Sequence, residues 1–222
     1  MPYPARHYET IALFHQAVRD LVAETLQHDG GPHLTLISGG STPVPIYERI
    51  TADPFPVNPV AHIAFADERH VRPDNPASNY GTTLPMLAAL ALPEDRVLHV
   101  NTAQPIADAA ADYEHQLTRF LDAGGTIRLA LLGLGIDGHT CSLFTVDDLR
   151  DAEGHYAIPV HMASEPDRVS VTPALLRRAE RVVFLVAGEE KTEICDILRN
   201  EPETIVAGLA VRECPRVEIW QA

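Results

Sequence analysis

Apolar residues along this 222-residue chain fall into two kinds of run, one with helical spacing and one short and nearly continuous. Ile11, Phe14, Val18, Leu21, Val22 and Leu26 recur at helical intervals, so they share one face of a helix over residues 11–26 that Gly30, Gly31 and Pro32 bring to an end. Residues 33–37 then read as a strand. Ser38, Gly39, Gly40, Ser41 and Thr42 form a loop, and Pro43 suits the first turn of a helix over 44–50. The alternation continues with strands at 62–66, 96–100, 128–134, 156–160, 169–172, 182–187 and 217–220. Helical patterns separate several of them: from a Ser78-Asn79 cap towards Ala91 with Pro85 inside, over 105–122, and over about 190–199.

The stretch 128–134 is apolar at almost every position, as expected of a strand covered by helices on both faces. The pattern predicts an α/β fold, a Rossmann-like three-layer α/β/α sandwich with a mainly parallel sheet, forming a single domain over 1–222. In such sheets ligands bind where loops leave the carboxyl ends of strands. The polar loops at 38–43, 67–79 and 133–142 each follow a strand and are expected to meet at one crevice.

Composition narrows the partners. With 45% hydrophobic and 22% charged residues the chain is an ordinary globular protein able to bury a core. A net charge of −14 opposes a nucleic-acid-binding surface, although a small anion can still bind where a few cations and N–H groups override the global field. Three cysteines without a CxxC pair point to a reducing, cytoplasmic setting. The N-terminus has no apolar targeting region, and no apolar run approaches the roughly 18 residues that span a bilayer, so no membrane association is expected.

Candidate chemistry lies in the same three loops. Residues 38–42 read either as a phosphate cradle at a helix start or as a plain turn, and spacing alone leaves both open. They match neither the Walker A pattern nor the dinucleotide fingerprint. Glycines at 133, 135 and 138 break a buried strand and present Asp137 and His139 at its mouth, as a base with its orienting carboxylate or as loop caps. Asp137, His139 and Cys141 lack a second cluster that would complete a zinc site, so neither metal nor cofactor is expected. Cys141 reads as a small packing residue. Asp67, Glu68, Arg69, Arg168 and Lys191 read singly as surface charge, yet an acidic chain with a phosphate loop must find cations somewhere.

Taken in order, SGGSTP at 38–43, DERHV at 67–71, SNYG at 78–81, GLGIDGHTCSLF at 133–144, RVSVT at 168–172 and VVFLVAGEEK at 182–191 resemble the 6-phosphogluconolactonases, within the group that includes the glucosamine-6-phosphate deaminases. The resemblance implies hydrolysis of a phosphorylated sugar lactone in the oxidative pentose phosphate pathway, without a cofactor. It implies His139 as the base that activates water, Asp137 as its support and Arg69 or loop N–H groups as stabiliser of the oxyanion. Ser38, Gly39, Gly40, Ser41, Thr42, Asp67, Arg168 and Lys191 would hold the substrate and its phosphate. The deaminase pattern places a glutamate five positions after the histidine, and here that position is Phe144. A non-catalytic sugar-phosphate sensor is the alternative from another class. Two departures stand out: Thr145 replaces the family's usual proline, which is expected to loosen its loop, and the sequence ends directly after the strand at 217–220, leaving that edge open to question.

Overall fold

The computed structural model describes residues 2–164 and 166–222. The chain lays down β1 (Ala5–His7), α1 (Ile11–Leu26), β2 (His33–Ile37), α2 (Val44–Ala52), β3 (Ala61–Phe65), β4 (Asp67–Arg69), α3 (Asn79–Ala89), β5 (Val97–Leu98), α4 (Ile106–Asp122) and β6 (Thr126–Gly133). There follow α5 (Val146–Asp151), β7 (Ala157–Val160), β8 (Arg168–Val171), α6 (Pro173–Leu176), β9 (Val182–Val186), α7 (Thr192–Asn200), α8 (Val206–Val211) and β10 (Val217–Gln221). Seven strands form a parallel sheet in the order β1-β10-β9-β6-β2-β3-β5.

Side chains alternate along these strands and both faces are covered, which makes the three layers. Ile37, Ile63, Phe65, Leu129, Leu131, Val183 and Leu185 pack beneath Phe14, Val18, Val22, Ile46, Ile50 and Met86 of α1, α2 and α3. Leu34, Leu36, Ala64, Ala130, Leu132, Phe184 and Ile219 face the other way, onto Tyr113, Leu117 and Leu198 of α4 and α7 and onto α8. That period-two alternation over a doubly covered sheet is what makes β2 and β6 apolar almost throughout.

Three differences from the sequence reading matter. Residues 67–69 are not loop but strand β4, and β7 and β8 do not join the main sheet; the three form a separate antiparallel sheet in the order β4-β8-β7. Thr145 does not loosen its loop: it caps α5 in a reciprocal capping box with Asp148. Strand β10 is not an edge, because β1 pairs along it. Pro85 lies inside α3, as the pattern from Ser78-Asn79 towards Ala91 has it. Among the described residues no helix is long and apolar enough to cross a membrane.

The chain runs from β2 outward to β3 and β5, then returns to place β6 on the other side of β2. Strand order therefore reverses between β2 and β6, where such sheets open a crevice at their carboxyl ends. Both of the glycine-bearing loops leave the sheet there.

Candidate active site

Ser38 at the end of β2 donates its hydroxyl hydrogen to the Leu131 carbonyl of β6 at 2.9 Å, and Tyr47 of α2 donates to the Ser38 carbonyl at 2.7 Å. These bonds draw the first loop over the reversal point. A Cβ on Gly39 would fall 1.8 Å from Asn79 Oδ1, so only glycine allows the loop to lie against the start of α3. The N–H groups of residues 39–42 lie outside strand and helix pairing and just ahead of α2, as an anion cradle requires.

The second loop leaves β6 and folds back on itself, with the Gly135 N–H donating to the His139 carbonyl at 2.9 Å and Thr140 Oγ1 to the Gly133 carbonyl at 2.8 Å. His139 Nδ1 and Asp137 Oδ1 are 2.5 Å apart. Burial works to raise the Asp137 carboxyl, but the hydrogen bond and charge of His139 outweigh it and hold the carboxyl below its usual range. An ionised carboxylate only accepts, so Nδ1 is the donor of the pair, and in the neutral imidazole Nε2 then presents its lone pair. A Cβ on Gly135 would lie 2.2 Å from His139 Nδ1 and 2.5 Å from Asp137 Oδ1, so the dyad exists because residue 135 is glycine.

The cations come from the small sheet and from the start of α7. In the antiparallel ladder Arg69 stands directly opposite Arg168, an arrangement that like charges oppose unless an anion joins them. Arg69 Nη1 donates to the Ala77 carbonyl at 2.7 Å while its buried Nε finds no partner. Arg168 Nη1 is 3.9 Å from Asp67 Oδ2, and Lys191 makes no ion pair among the described residues.

Ser38–Pro43, Asp67, Arg69, Gly133–Gly135, His139, Cys141, Arg168 and Lys191 together line one cleft of about 200 Å³. Larger hollows occur elsewhere, one of about 550 Å³ between α5, α6 and α8, but its arginines are already tied to Asp147 and Glu213 and no histidine lines it. Asp137 stands behind His139, outside the cleft lining. Ser38 and Asp67 line the cleft with their polar atoms already engaged. The Asp67 carboxylate is 6% exposed and accepts from Ser142 Oγ at 2.6 Å and Asn79 Nδ2 at 3.1 Å. Cys141 is buried, which pushes its thiol far up and leaves no nucleophile there. Among the described residues no three of His, Cys, Asp and Glu come together as a metal-holding group.

Sequence reasoning passed over the supports beneath these residues. Glu68, 1% exposed, accepts from the N–H groups of Arg69, Asn79 and Tyr80 at 2.7, 2.8 and 2.7 Å, clamping β4 to the start of α3. Burial raises its carboxyl despite those three bonds. Ser142 and Ser170 join the His139 loop to β8, with the Ser142 N–H donating to Ser170 Oγ at 3.1 Å. The signal was present in the sequence as short motifs, DER and SLF, read there for chemistry, and Ser78-Asn79, read there as the helix cap that Ser78 is.

The family described as glucosamine-6-phosphate isomerases/6-phosphogluconolactonase matches residues 7–214. A rat protein named 6-phosphogluconolactonase is 30% identical over 214 residues, covering 92% of this chain and 83% of its own. A Thermotoga maritima protein of the same name is 31% identical over 189 residues, covering 81% of this chain and 80% of its own. A solved Thermotoga maritima 6-phosphogluconolactonase superposes with a TM-score of 0.82 at 24% identity, over 99% of this chain and 98% of that one, a likeness of fold.

Proposed function

The chain belongs to the glucosamine-6-phosphate isomerase/6-phosphogluconolactonase family, and from that premise we propose that it hydrolyses 6-phospho-D-glucono-1,5-lactone to 6-phosphogluconate. The observation that carries the reading is the Asp137–His139 pair at 2.5 Å with His139 lining a cleft that also holds Arg69, Arg168 and Lys191. His139 Nε2 takes a proton from water as its oxygen attacks the lactone carbonyl. Charge collects on the carbonyl oxygen, where Arg69 stabilises it; losing such a donor typically costs on the order of 3 kcal/mol. The ring C–O bond then breaks, and the imidazolium returns its proton to the departing ring oxygen. Asp137 keeps the productive tautomer throughout.

In this reading the loop N–H groups of residues 39–42, Arg168 and Lys191 grip the 6-phosphate. Binding a remote phosphate orients the ring and removes part of the entropic barrier at the carbonyl. No step calls on a metal or a nucleotide. The pentose phosphate pathway and a cytoplasmic location fit an acidic chain whose three cysteines are free.

Phe144 supports hydrolysis over deamination. Its ring centroid is 4.5 Å from that of His139, so the position where the deaminase pattern has a glutamate does reach the site, and there it offers no proton. The test is acid release from freshly generated lactone, comparing the protein, its His139→Asn variant and the spontaneous rate. Fast hydrolysis lost in the variant is expected. A folded protein that leaves the spontaneous rate unchanged would rule the reading out, and ammonia release from glucosamine 6-phosphate would replace it.

A further inference from the structure

Asp137 holds the imidazole of His139 by one edge and is itself 57% exposed, which fixes a direction but not the plane of the ring. The plane is met by Phe144, whose ring lies 4.5 Å from that of His139 with 44° between them. Arg168 contacts the same aromatic ring, its Cζ 5.5 Å from the centroid. The backbone of Phe144 is held in turn: its N–H donates to Asp148 Oδ2 at 2.8 Å, beside the Thr145 N–H at 2.7 Å. Thr145 Oγ1 accepts from the Asp148 N–H at 3.1 Å. The start of α5 therefore anchors an aromatic side chain that touches both the base and a phosphate-side cation.

We propose that Phe144 is a positioning residue for the reaction, its ring setting the plane of the His139 imidazole and tying it to the Arg168 guanidinium. This rests on His139 being the base. An aromatic ring favours a cation at its face, so it serves Arg168 and also the imidazolium that forms when water is deprotonated. A leucine would fill similar space without a flat surface or that electrostatic preference. The other charged groups around His139 are Asp137 from its own loop, Asp67 and Arg69 from β4, Arg168 from β8 and Lys191 ahead of α7.

Phe144→Leu and Phe144→Tyr separate geometry from bulk. For Phe144→Leu, kcat falls about tenfold while KM stays within about twofold, and the acid limb of the rate profile moves to lower pH. The sign follows because removing a group that favours the imidazolium lowers the pH at which His139 takes up its proton. Phe144→Tyr keeps the ring and stays within about threefold of the native kcat. The same displacement appears without substrate, in the proton-resonance titration of the His139 ring, assigned by its loss in His139→Asn. Native kcat with an unmoved titration in Phe144→Leu overturns the proposal, and so does equal loss in both variants with the titration unmoved. Failure of the intact protein to hydrolyse lactone removes the base reading instead, while the titration still decides whether Phe144 governs the ring.

Discussion

Gly135 shows how much of the site depends on a residue with no chemistry of its own. Its φ is not in the left-handed region, so alanine meets no backbone strain there, and the added methyl collides with the dyad at 2.2 and 2.5 Å. Gly135→Ala should lower kcat by about tenfold to a hundredfold, as displaced catalytic geometry does, with a melting temperature close to native. Steady-state kinetics beside thermal unfolding checks both halves. Asp137→Asn acts on charge rather than position. The carboxyl is held low by His139 and so stays ionised as the acceptor that fixes the imidazole tautomer, and the variant, whose amide can donate instead, should lose maximal rate. Steady-state kinetics with an undiminished maximal rate would show that the Asp137 charge does not hold the imidazole for the reaction. This pair was legible in the sequence because its members are two positions apart within one glycine-rich turn. The Ser142–Asp67 bond was not, since its partners are 75 positions apart and meet only once β4 and the base loop are packed together.

Helices and strands with several turns or residues of pattern were readable for the same reason that they are stable: α1, α4, β2 and β6 repeat their apolar spacing often enough to specify a face. Short elements carry too few repeats, and α5, α6, α8 and β4 owe their form to tertiary contacts and caps; β7 and β8 read as strands, but nothing in their pattern says that they leave the main sheet. Thr145 makes the point. Its N–H and hydroxyl both serve the capping box of α5, so Thr145→Pro removes a donor and a cap, and should cost about 1–2 kcal/mol. Denaturant unfolding measures that loss, and an unchanged midpoint would mean that the cap is not what holds α5. Ser142→Ala tests the join between elements. It leaves the buried Asp67 carboxylate short of its 2.6 Å donor, for an expected loss of about 1–3 kcal/mol in the same assay. A loss well below that would mean that water or Arg168 takes over the vacated oxygen.

At the scale of the whole molecule, a net charge of −14 repels the anionic ligand that, in the proposed reading, the cations of the cleft bind. Affinity must then come from close contacts, the N–H groups of residues 39–42 with Arg69, Arg168 and Lys191, since the long-range field works against it. A ligand that binds only the folded state stabilises it by about 2.7 kcal/mol at a hundredfold excess over Kd. For a chain of this size that corresponds to a rise of about 5–10 °C in melting temperature. 6-Phosphogluconate should produce such a rise, gluconate little or none, and Lys191→Ala should shrink the response to the phosphorylated compound. Salt distinguishes the two scales of electrostatics, because screening weakens the distant repulsion and leaves groups in direct contact much less affected. The protection should therefore survive added salt better than that of an anion held loosely at the surface. Equal protection by gluconate in a thermal-shift titration would place the phosphate outside the cradle and detach Lys191 from its role.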